Sequence, residues 1–116
     1  MFEYKMSIII RMDLEMSIGK IISQACHACL ESYEKARKNP ESKIWRKEGA
    51  KKVILKVNSL DELLILRNKA EKKGLPYVLI IDHGLTEIPP NSPTSLAIGP
   101  AKSKIIDKIT GNLPLL

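Results

Sequence analysis

One phenylalanine, one tryptophan and three tyrosines are all the aromatic side chains in these 116 residues. They are too few to build a platform on which successive bases of a single strand stack. Cysteine is as sparse, with only Cys26 and Cys29, one helical turn apart inside an apolar pattern. The pair is expected to be reduced and buried as small hydrophobes. Nothing in the sequence resembles a secretory leader or a run of about twenty apolar residues, so neither export nor a membrane span is expected, and a cytoplasmic location is. A metal site is not expected either: Cys26 and His27 would lie about 100° apart on a helix, with no second ligand pair. Gly19-Lys20 is no phosphate-cradling loop of the Walker A type, because Leu14 stands where its first glycine belongs and Ile21 where a magnesium-binding hydroxyl belongs.

What is present fits one domain, residues 1–116, with a single core: 44% of the residues are hydrophobic, enough for one compact unit and not for two. A net charge of +6 favours a polyanionic partner without naming it. Tyr4 to Met12 alternates as a strand, with Met6, Ile8, Ile10 and Met12 on one face. A helix from about Gly19 to Lys38, with Ser17 as its possible cap, ends at Asn39-Pro40. A short helix, roughly Glu41 to Glu48, holds Trp45. A strand carries Val53, Leu55 and Val57, and a helix opened by the Ser59 to Glu62 capping box stops at Gly74. Tyr77 to Ile81 reads as a strand covered on both faces, ending at Asp82. Ser95 to Gly99 supplies a fourth strand, and Pro100 is expected to start a last helix over about 101–109. The order β-α-α-β-α-β-β-α predicts an α/β fold of three layers, a mixed sheet of about four strands with helices on both faces.

The first helix carries the most informative pattern. At roughly 100° per residue, Lys20, Ser23, Gln24, His27, Glu31 and Glu34 share one side, while Ile21, Ile22, Ala25, Cys26, Cys29 and Leu30 spread over the other. The second set is expected to be core. Ligands of open α/β sheets lie beyond the carboxyl ends of parallel strands. If the first and third strands are parallel, Lys20, the first helical turn, Asp82 and Thr86 share one rim. The Gly19-Lys20 helix start suits a phosphate or an oxyanion, and Asp82 suits a general base acting on water. Each has a plainer reading as well, a solvated helix start and a turn-capping aspartate. His27 can donate to a substrate or serve packing, and Gln24 can read a polar ligand or lie at the surface. The run Arg37, Lys38, Lys43, Arg46, Lys47, Lys51 and Lys52 around Trp45 is a solvated face or a set of phosphate contacts to a folded RNA.

These residues resemble a known family. Ile10 to Leu14, then Met16, Gly19-Lys20-Ile21, Gln24 and His27-Ala28, then Asp82 to Thr86, Ile88-Pro89-Pro90, Thr94, Leu96 to Pro100, and the closing Asp107 to Gly111 with Leu113 are similar to the second, archaeal and eukaryotic, class of peptidyl-tRNA hydrolase. The resemblance spans essentially the whole chain. It implies hydrolysis of the ester joining a peptide to the terminal ribose of tRNA, with peptidyl-tRNA as partner, no cofactor, no metal, and a fold that commonly forms a homodimer.

Carried over position by position, the resemblance implies Lys20, His27, Asp82, Thr86 and Thr94 as catalytic residues and Gly19, Gln24 and Gly84 as substrate-binding ones. Asp82 would activate or orient water, Lys20 and the helix start would stabilise negative charge, and Thr86 and Thr94 would fix the water or the ribose. A hydroxyl or histidine nucleophile stays open as an alternative. The chain departs from the family pattern in Ser17-Ile18-Gly19, where Gly-Lys-Gly is usual, in Asn91-Ser92-Pro93 after Pro90, and in His83, where small residues are usual. Two readings of other classes compete: a non-catalytic basic module that binds tRNA or another RNA, and an adaptor that engages protein partners through an apolar patch.

Overall fold

Strand pairing settles which ends of the strands meet. The computed structural model describes residues 2–83 and 87–116. Its elements are β1 (Tyr4–Arg11), α1 (Ile18–Ala36), α2 (Pro40–Lys47), β2 (Lys52–Val57), α3 (Leu60–Lys72), β3 (Tyr77–Asp82), β4 (Ser92–Lys102) and α4 (Ser103–Thr110). The sheet order is β2-β1-β4-β3. β1 is parallel to β2 and antiparallel to β4, and β3 is antiparallel to β4, so β1 and β3 run the same way. Their carboxyl ends, Arg11 and Asp82, therefore share a rim with the start of β4.

Alternation along β1 sends its side chains to two cores, one on each face of the sheet, rather than the single core expected. Met6, Ile8 and Ile10 pack with Ala28 of α1, Trp45 of α2 and Met16. Ile9 faces the other way, with Leu55 and Val57 of β2, Leu63 and Leu66 of α3 and Ile106 of α4. The three layers expected of the element order are present.

Three further expectations change. Pro100 does not start a helix: β4 continues through it, pairing Ala101 with Lys5 and Lys102 with Tyr4, and α4 begins only at Ser103. The turn signal at Gly99-Pro100 marks a register shift within the strand. Gly99 has φ +118° there, and a Cβ would fall 2.7 Å from the Lys5 carbonyl. β3 is not fully covered. It forms one edge of the sheet, so Tyr77 to Ile80 are half-buried and Ile81 is exposed, although α1 and α3 both contact it.

The fully buried stripe of α1 is Gln24, Ala28, Ser32 and Ala36; of the apolar side expected to be core, Ile21, Ala25 and Cys29 pack half-buried against the core around Ile8. Ile22 and Leu30 are more than half exposed, and Cys26 is exposed with Cys29 half-buried. Small side chains let α1 lie close to β4, where Ser32 donates to the Gly99 carbonyl and Ser95 to the Gln24 carbonyl. Helical periodicity finds an apolar side, but close helix-on-sheet packing selects small residues whatever their polarity. Trp45 is 2% exposed and donates through Nε1 to the Lys51 carbonyl, so it is core rather than a stacking surface.

Candidate active site

The shared rim brings Lys20 and Asp82 together across 62 positions of sequence. Lys20 stands in the first turn of α1, below the Ser17 cap, whose side-chain oxygen accepts from the Lys20 N–H at 3.3 Å. Asp82 closes β3. Lys20 Nζ lies 2.7 Å from Asp82 Oδ1, and their side chains are only 13% and 9% exposed. A charge pair removed from water to this degree needs good geometry to persist. It holds an ammonium and a carboxylate at one point of the rim.

Behind this pair lies a buried polar contact. Thr94, near the start of β4, is fully buried and donates its hydroxyl to Gln24 Oε1 at 2.5 Å, while Gln24 itself is 3% exposed. Gln24 sits one turn below Lys20 on the same side of α1. The contact ties α1 to β4 directly under the ion pair. His27 is exposed, with Nε2 3.3 Å from Ser23 Oγ, and with Gln24 and Asp82 it lines a groove of about 570 Å³ between α1 and β3. His83 is also exposed, with Nδ1 3.3 Å from Asn91 Oδ1.

Gly19 is exposed at the helix start, and a Cβ built on it meets nothing within 4 Å. The fold does not demand glycine there, which leaves room for a ligand to approach the backbone. The helix start is already engaged in part, since the Ser17 N–H donates to the Glu87 carboxylate. Gly84 and Thr86 lie outside the described residues.

One element of the rim was not singled out from spacing. Arg11, at the end of β1, donates from Nε and Nη2 to both carboxylate oxygens of Asp13, at 3.1 and 2.7 Å, and from Nη1 to the Pro93 carbonyl at 3.0 Å. The guanidinium bond holds the Asp13 carboxyl below its ordinary value. This clasp fixes the β1–α1 loop against the approach to Thr94. An opposite-charge pair two residues apart at a strand end was the available signal, but nothing local pointed to Pro93.

Among the described residues no three His, Cys, Asp or Glu side chains converge as metal ligands. Cys26 and Cys29 are free thiols, and burial pushes the Cys29 thiol above its ordinary value. No helix among the described residues is long and apolar enough to cross a membrane.

The chain is similar to proteins whose names describe a chemistry fitting this rim. The family model described as Peptidyl-tRNA hydrolase PTH2 matches residues 4–116. A peptidyl-tRNA hydrolase of Thermococcus sibiricus is 50% identical over 118 residues, covering 100% of both chains. One from Methanocaldococcus jannaschii is 49% identical over 114 residues, covering 97% of this chain and 99% of its own. A solved protein of unknown function from Agrobacterium tumefaciens strain C58 superposes with TM-score 0.62 at 15% identity, covering 100% of this chain and 99% of its own. That likeness is one of fold.

Proposed function

The chain belongs to the peptidyl-tRNA hydrolase PTH2 family, and from that premise we propose that it hydrolyses the ester between a peptide and the terminal ribose of tRNA at the Lys20–Asp82 pair. The observation that carries this reading is the 2.7 Å contact between two nearly buried, opposite charges, one of which, Asp82, also lines a groove. Ester hydrolysis needs a positioned water, a cation or N–H donors where the carbonyl oxygen becomes negative, and a proton for the departing 3′-hydroxyl. Asp82 takes a proton from water as its oxygen bonds to the ester carbonyl carbon. Lys20 stands beside the oxyanion that forms. The tetrahedral intermediate then expels the ribose 3′-oxygen, and the proton held by Asp82 passes to it.

The remaining residues support this centre. Gln24, clamped by Thr94, positions the helical turn that carries Lys20, and Thr94 acts through Gln24 because its own hydroxyl is buried. His27 holds the substrate along the groove. Gly19, Gly84 and Thr86 complete the contacts to water and ribose. The basic run begins at Arg37, about 25 Å along α1 from Lys20 at 1.5 Å per residue, so phosphates well away from the ester would be contacted there, and binding would weaken with salt. The enzyme works in the cytoplasm and as a homodimer. The exposed apolar ridge of Ile18, Ile22 and Leu30 supports that assembly, because a patch left open on a monomer marks an interaction surface.

Release of free tRNA from peptidyl-tRNA tests the site. Asp82→Asn and Lys20→Ala are each expected to lose at least about a hundredfold in kcat, the lower end of what a general base contributes, while still binding tRNA. Undiminished turnover in both variants rejects the site, and no turnover by the unaltered enzyme rejects the hydrolase reading.

A further inference from the structure

We propose that the open edge of β3 is the track for the peptide half of the substrate, which adds to the sheet as an extended chain parallel to β3 and is held by its main chain. This rests on the peptidyl-tRNA reading above and names how one part of that substrate is recognised. Among the described residues β3 is the last strand of the sheet and pairs only with β4. The Gly99 N–H donates to the Pro76 carbonyl at 2.8 Å, which sets the alternation of the antiparallel ladder. Pro76, Val78 and Ile80 turn their main-chain groups to β4, and Tyr77 and Leu79 turn theirs to the open side.

The two ends of that open side differ. At Tyr77 the outward carbonyl accepts from Lys35 Nζ at 2.9 Å, and the same ammonium stands 4.6 Å from the centre of the Tyr77 ring. A lysine folded onto a strand edge is a common device for blocking unwanted pairing. Among the described residues, no strand or side chain takes up the outward groups of Leu79. The edge is thus plugged at the end remote from Asp82 and open at the end that leads to it.

Beside this open stretch runs the groove between Gln24, His27 and Glu31 of α1 and Val78 to His83. From Val78 to Asp82 it spans about 13 Å at roughly 3.3 Å per residue, room for about four residues of extended peptide. The scissile carbonyl belongs to the last residue of the peptide and must sit at Asp82, the carboxyl end of β3, so the chain runs parallel to the strand. The main chain is the part of a peptide that does not change with its sequence. Strand addition supplies these through N–H and C=O groups alone.

Steady-state hydrolysis of N-acetylated peptidyl-tRNAs of one to six residues tests the track. KM is expected to fall as the peptide grows to about four residues and then to level off, with kcat little changed. In a tetra-alanyl substrate, N-methylation of single amides is expected to raise KM about three- to tenfold at alternate positions and little at those between, the worth of one hydrogen bond each. Lys35→Ala, which removes the plug, is expected to extend the length dependence by about two residues. A KM flat in length, or N-methylation without alternation, overturns the track while leaving the hydrolase intact. A second copy of the chain seated on this edge would give the same flat result. Failure to cleave a substrate of any length in the series overturns the hydrolase reading itself, and the track with it.

Discussion

The two faces of the sheet are packed by different means. On the α3 and α4 side, Leu63, Leu66, Ile106 and Ile109 meet Ile9, Leu55, Leu96 and Ile98 in an almost wholly apolar layer, with one buried hydroxyl contact between Ser7 and Thr110 at 3.0 Å. On the α1 side, the helix meets β4 through Gln24, Ala28, Ser32 and Ala36, with hydrogen bonds from Thr94, Ser95 and Ser32 across the contact. Apolar packing is strong and tolerant of shape. Hydrogen bonds between small residues fix a helix in one register. The side that carries Lys20 uses the second means, and the pair proposed as catalytic would gain most from it, because a misplacement of about 1 Å can cost a hundredfold in rate.

Variants on the two faces separate stability from catalysis. Asp82→Asn should have the largest effect, a loss of about 10²- to 10⁴-fold in kcat, with a lesser fall in melting temperature because the nearly buried Lys20 ammonium loses its counter-charge; a loss of rate no larger than the loss of folded protein would make Asp82 a structural residue instead. Leu63→Ala on the far face should cost about 2–5 kcal/mol in denaturant unfolding, with kcat per folded molecule untouched. On the near face, Ala28→Leu should cost about 1–3 kcal/mol by overpacking and also lower kcat, although position 28 is about 12 Å along the helix from Lys20. Matching rate effects from Leu63→Ala and Ala28→Leu would erase the distinction. Thr94→Val should cost about 1–3 kcal/mol by leaving Gln24 unpaired, and a Gln24→Leu, Thr94→Val double variant should recover stability without recovering rate.

The smallest effect concerns Asp13. Its folded pKa is lowered from 3.8 by the bond to Arg11, so its contribution to stability is present above that value and is lost as pH falls through the lower, folded one. Urea midpoints from pH 5 to pH 2 should fall less steeply for Asp13→Asn than for the unaltered protein; parallel curves would show that the clasp adds nothing to stability.

Element order was legible because β1, α3 and the capping box at Ser59 carry local signals that agree with their surroundings. The α1 pattern misled in part. Its cysteines and isoleucines are the more hydrophobic set, yet a close approach to β4 admits only Ala28, Ser32 and Ala36 and satisfies Gln24 with Thr94. Pro100 misled because a proline after glycine is locally as good at a helix start as at the register shift it occupies. The apolar run of β3 reports helices on both faces and says nothing of an unpaired edge.

By itself the sequence determined the kinds of element, their order and the chemistry available to them, because propensity, periodicity and capping act over a few residues. The closeness of its motifs to one family added the family and, with it, the residues proposed to react. Only the tertiary structure decided that Lys20 and Asp82 stand 2.7 Å apart, that Gln24 is buried, and that β3 lies at an edge blocked at Tyr77. Each of these is set by strand order and helix approach, contacts between residues tens of positions apart that no local pattern encodes.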